Sequence, residues 1–174
     1  MPENGKKLVV IGIGNFLQGD EGVGVHAVDE LSKENLDPRV EIIDGGAAGF
    51  DLLFLLEDAD FAIIIDCMEA HLEPGTIFRL TAEELFLSAK TDNMYNKLSL
   101  HETNLPEVLL AAKELNKLPP TIIFGIQPKE ITINCSLSAP VQKVLPKLIR
   151  AVKKEISKIV RLWYACMSGR LLRL

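Results

Sequence analysis

Cysteine is scarce in this sequence: Cys67, Cys135 and Cys166 are an odd count with no CxxC spacing. That excludes a disulfide framework and a thiolate zinc site, and the expectation is reduced thiols in a cytoplasm. Histidine is equally sparse, so any imidazole chemistry must come from His26, His71 or His101. Long apolar runs are missing too. The longest stretches, around 52–56 and 61–65, fall far short of the roughly 18–20 residues of a spanning helix. The segment ahead of Gly12 holds no apolar core long enough for a secretory leader. A basic excess is also lacking. The net charge of −5 argues against a nucleic-acid partner. A soluble, cytoplasmic protein without a membrane span is expected.

What is present suits one globular domain. A chain of 174 residues commonly builds a single core and buries enough surface to fold without metal or disulfide. Short β-branched runs at 8–13, 40–43, 62–65 and 121–126 read as buried strands, and 76–80 as another entered through Pro74–Gly75. Helices are expected at 25–31 and 49–56. A third is predicted from 105 to about 115, opened by the capping box Asn104-Leu105-Pro106-Glu107. Val141, Leu145, Leu148, Val152, Ile156 and Ile159 share one stripe at helical spacing over 141–160; the lysines opposite read as a solvated face. The stretch 87–103 is polar and irregular and reads as mostly loop. Strands alternating with helices predict one α/β sheet covered on both faces. Residues 1–160 form the expected domain, and 161–174 remain a tail without an assigned place.

Gly12-Ile13-Gly14 after a strand invites a dinucleotide reading. That fingerprint needs a glycine at position 17, where Leu17 stands, and Asp20 and Glu21 would repel a pyrophosphate. No Gly-Lys-Ser/Thr follows, so a phosphate-binding P-loop is excluded as well. The loop reads instead as a flexible mount for acids, suited to a cation; the rival reading puts Asp20 or Glu21 in a first helical turn, against the dipole. Ligands of open α/β sheets bind beyond the carboxyl ends of the strands. Two further strand ends carry acids, Asp44 and Asp66. Asp44 precedes two glycines, so a structural turn competes with function there. A histidine would complete a donor set for nickel or zinc. Spacing does not choose between His71 and His101. Cys67 reads as a small buried hydrophobe rather than a nucleophile.

The series from Gly12-Ile13-Gly14-Asn15-Phe16-Leu17-Gln18-Gly19-Asp20-Glu21-Gly22-Val23-Gly24 resembles the opening signature of the hydrogenase maturation endopeptidases. The likeness continues, in order, through Asp44-Gly45-Gly46-Ala47-Ala48-Gly49, Ile65-Asp66, Ser99-Leu100-His101-Glu102 and Phe124-Gly125-Ile126-Gln127-Pro128. It implies a three-layer α/β/α sandwich around a mixed, mostly parallel five-stranded sheet. It implies a peptidase that removes a C-terminal peptide from a nickel-loaded hydrogenase large-subunit precursor. Carried onto this chain, the family's metal ligands fall on Glu21, Asp66 and His101. Asp44 matches an acid assigned to recognition or catalysis. The resemblance also implies that the nickel is the substrate's own, a sign that it has been inserted. A non-catalytic nickel-binding checkpoint module is the competing expectation.

Overall fold

The computed structural model describes residues 5–47, 49–91 and 105–167. Five strands set its frame: β1 (Leu8–Ile13), β2 (Val40–Gly46), β3 (Phe61–Cys67), β4 (Ile77–Thr81) and β5 (Thr121–Ile126). Their order across the sheet is β2-β1-β3-β5-β4, and β4 alone runs antiparallel to its neighbour. Every residue of β1 and β5 is buried, and so is β3 beyond its first residue. Continuous β-branched runs are what a parallel strand covered on both faces requires. The edge strands β2 and β4 are only half-buried. The turn into β4, Glu73-Pro74-Gly75-Thr76, closes with a Thr76 N–H to Glu73 C=O bond, and Gly75 takes φ +82°. Pro followed by a left-handed glycine is the signature of a type II turn.

Five α-helices lie among the described residues: α1 (Val23–Ser32), α2 (Leu52–Leu56), α3 (Ala82–Thr91), α4 (Leu105–Glu114) and α5 (Ala139–Met167). The pleat divides them. Leu8, Val10, Ile63 and Ile65 face one way, into a core with Val28 and Leu31 of α1 and Val141, Leu148 and Val152 of α5. Val9, Ile11, Ile64 and Ile123 face the other, into a core with α2, α3 and α4. The expected mixed five-stranded α/β architecture is what forms.

Three stretches differ from the sequence expectation. Residues 87–91, expected as loop, belong to a helix that begins at Ala82. Thr81 Oγ1 accepts the Glu84 N–H at 3.1 Å while Glu84 Oε2 accepts the Thr81 N–H at 2.7 Å, a reciprocal capping box. The first helix begins at Val23, prefaced by a 3-10 turn at Gly19–Gly22. The last helix runs unbroken past Val160 to Met167. There the Arg39 guanidinium lies 4.1 Å from the Tyr164 ring centre and 5.7 Å from that of Trp163. Asp37 pairs with Arg39 at 2.8 Å, and the Tyr164 hydroxyl donates to Asp37 at 3.2 Å. These contacts fasten the end of α5 to the loop before β2. Asn104 lies outside the described residues.

Candidate active site at the carboxyl end of the sheet

Glycines bring the first loop down onto the strand ends. A Cβ on Gly24 would collide with the carbonyl oxygens of Ile13 and Ile65, and one on Gly12 with the carbonyl of Gly24. The start of α1 therefore rests directly on β1 and β3, closer than any side chain permits. Gly14 (φ +144°) faces the carbonyl of Glu21 in the same way, and Gly19 needs φ +61°. The loop was expected to use its glycines for flexibility; Gly12 and Gly24 use theirs for close approach.

Glu21 sits in the 3-10 turn and is buried to 4% exposure, and Asp66 in β3 is fully buried. The 3-10 turn packs on β3. Cys67 follows Asp66 at the end of β3. Burial pushes that thiol well above its ordinary range, and the negative fields of Asp66, Asp20, Glu21 and Glu69 raise it further. A buried thiol kept protonated in this way is no nucleophile.

Asp44 stands apart from Asp66. Gly12 pairs with Asp44 on one side and Ile65 on the other, so two strand spacings, about 9.5 Å, separate the Asp44 position from β3. Asp44 is exposed, and its Oδ1 accepts the Gly46 N–H at 2.8 Å, the local turn that competed with a functional reading. His26 is half-buried with its ring 4.8 Å from that of Phe16, and His71 is exposed beside Glu69 at 3.5 Å. Among the described residues no three His, Cys, Asp or Glu side chains are grouped closely enough to hold an ion. Neither His26 nor His71 therefore completes a set with Glu21 and Asp66. His101 lies outside the described residues.

A second segment, 127–138, closes over the loop. Gly19 N–H donates to the Asn134 carbonyl at 2.6 Å and Asn134 N–H to the Leu17 carbonyl at 3.0 Å. Gln127, buried just past β5, accepts Ala70 and Leu72 N–H through Oε1 at 2.8 and 3.1 Å and donates to Glu69 at 2.8 Å. It fixes the turn that follows Asp66 and Cys67. Sequence reasoning gave Gln127 no role, although an amide directly after an all-apolar strand is a signal of a buried polar anchor.

The family model of the hydrogenase maturation proteases matches residues 25–155. The chain belongs to this family. It is 36% identical over 158 residues to a putative hydrogenase maturation protease of Methanocaldococcus jannaschii, covering 88% of this chain and 98% of that one. It is 34% identical over 174 residues to the hydrogenase expression/formation protein HupD of Rhizobium leguminosarum bv. viciae, covering 97% and 81%. Among solved structures, the hydrogenase maturating endopeptidase HybD from E. coli superposes with a TM-score of 0.75 at 29% identity, over 87% of this chain and 93% of that one. The protein is thus a peptidase, and the acids gathered at the sheet end are its candidate machinery. No described helix is long and apolar enough to cross a membrane.

Proposed function

We propose that this protease removes a C-terminal peptide from a hydrogenase large-subunit precursor and uses the precursor's own nickel as its recognition element. One observation carries the reading: in a member of the maturation-protease family, Glu21 and Asp66 are both buried, one on the 3-10 turn and the other near the end of the strand on which that turn packs. Burying a carboxylate is costly, and a divalent cation bound by two of them would offset that cost. Oxygen donors with one imidazole suit nickel and leave positions open for the precursor's own ligands. His101 is the proposed imidazole. It lies four residues ahead of α4, a helix that leads back to the start of β5 and so begins near the carboxyl end of the sheet.

In this scheme Glu21, Asp66 and His101 hold the nickel-bearing end of the precursor so that its peptide lies across the strand ends. A bound divalent metal polarises a carbonyl or acidifies a water. Asp44, exposed at the rim, is proposed to receive the proton or to recognise the peptide beyond the metal. Without nickel the three ligands have nothing to grip, and the precursor is left uncut. All three cysteines are free, which supports action in a reducing compartment such as the cytoplasm.

The test is to incubate the protein with nickel-loaded and nickel-free precursor and weigh the products. Trimming is expected only with nickel, and Glu21→Gln or His101→Ala should abolish it while the protein stays folded. Binding of loaded precursor with no change in mass would replace the protease reading by a checkpoint that does not cut. Wild-type trimming by either variant would show that the ligands are misassigned.

A further inference from the structure

Asp20 has a task distinct from that of its neighbour Glu21. Its carboxylate is 1% exposed and saturated with donors. Oδ2 accepts the Lys129 N–H at 2.9 Å, the Glu130 N–H at 3.3 Å and the Ser138 hydroxyl at 2.7 Å; Oδ1 accepts the Ser138 N–H at 2.7 Å. Three of the four donors are main chain, and Ser138 immediately precedes α5. The anion therefore sits at the positive end of the longest helix and ties together three pieces: the 3-10 turn, the 127–138 segment and α5. Saturated in this way, it has little capacity left to hold a metal.

A 3-10 turn has three residues per revolution, so successive side chains diverge by about 120°. With Asp20 fixed on the 127–138 side, the direction of Glu21 is fixed as well. The Gly19 and Asn134 backbone bonds hold the same turn from its other end. We propose that Asp20 is a positioning residue: its four-bond clasp on 129–138 locks the 3-10 turn and aims Glu21 at the metal. The inference rests on Glu21 being a nickel ligand, as proposed above.

The experiment titrates nickel ion alone into the full chain by calorimetry, for wild type, Glu21→Gln, Asp20→Asn and Ser138→Ala, with thermal unfolding of each. In Asp20→Asn an NH2 replaces one oxygen and faces donors. Losing a group that orients a ligand typically weakens metal binding by about 10–100-fold, and that range is expected here. Ser138→Ala removes one of the four bonds and should weaken binding less. The double variant should be no weaker than Asp20→Asn, because both act through one clasp. A merely structural Asp20 would lower the melting temperature and leave the nickel affinity of the folded protein unchanged. Wild-type affinity in Asp20→Asn overturns the proposal; if that variant does not fold, wild-type affinity in Ser138→Ala does so. Absence of Glu21-dependent nickel binding in the wild type overturns it together with the ligand assignment. Intact nickel binding without trimming sinks the protease reading alone and leaves the clasp standing.

Discussion

Gly24→Ala tests whether the glycine loop works by close approach. In an ordinary helix this change stabilises by about 1 kcal/mol, because alanine is the better helix former. Here the added methyl would land on the carbonyl oxygens of Ile13 and Ile65 and 2.6 Å from the Ile13 nitrogen. All three are main-chain atoms of paired strands, so none can swing aside as the tip of a side chain would. The start of α1 must rise by roughly 1 Å to regain normal contact distances. Overpacking of this kind costs about 1–3 kcal/mol, and rigid backbone on two sides puts this site at the upper end. Setting about 3 against about 1 gives a net loss near 2 kcal/mol. Glu21 lies one turn before Gly24 and moves with it, so trimming should fall as well. Gly46→Ala is the control, since Gly46 has φ +51° but no atom within 4 Å of its added Cβ. It should cost only the left-handed strain, about 1 kcal/mol. Urea unfolding of both variants at matched m-values measures the difference. A Gly24→Ala protein within about 0.5 kcal/mol of wild type, or one more stable than Gly46→Ala, would refute the close-approach argument.

Cys67 should be chemically silent, because burial and the surrounding carboxylates keep its thiol protonated. Alkylation of the native protein at mildly alkaline pH should mark the exposed Cys135 and Cys166 and spare Cys67, as read by peptide mass. Cys67→Ala should still trim, at a stability loss of about 1 kcal/mol; loss of trimming in a folded variant would make the thiol functional after all. The Arg39 hydrogen bond lowers Asp37 from 3.8 to about 2. A depressed carboxylate contributes stability above its unfolded pKa and loses it as pH falls through the folded one. The gap in unfolding free energy between wild type and Asp37→Asn, about 1 kcal/mol after solvent screening, should thus hold above pH 4 and close between about 4 and 2. A gap unchanged down to pH 2 would remove Arg39 as the cause.

The sheet was legible because its central strands are buried on both faces and so must be continuous apolar runs, as Leu8–Ile13 and Thr121–Ile126 are. The long helix showed itself through its stripe, since α5 packs one face only. Residues 87–91 were misread as loop because the polar composition of 87–103 outweighed a local signal just upstream: Thr81-Ala82-Glu83-Glu84 has the spacing of a capping box. The extension of α5 to Met167 depends on Arg39 and Asp37, more than 120 positions earlier, and no local pattern announces such a contact. At the site, acids at strand ends were readable by position, but the different tasks of Asp20 and Glu21 were not. Both are acids in one glycine-rich loop. What separates them is the 127–138 segment, whose donors meet Asp20 only in the folded chain.

That separation bears on why the loop is so tightly packed. Buried carboxylates in one small volume oppose folding, since each loses hydration and all repel one another. Asp20 offsets its share through four donors, three of them backbone. Gln127 ties Glu69 back to the sheet. Glu21 and Asp66 are carried by a turn pressed onto two strands and by the middle strand itself, where Asp66 pairs with Gly125. A site on mobile loops could relax by swinging its acids into water. Here the loop is pressed onto neighbouring backbone at Gly12, Gly14 and Gly24, so lifting it would open those contacts and disturb the start of α1. In the scheme proposed above, such rigid placement would hold Glu21 ready before a metal-bearing precursor arrives.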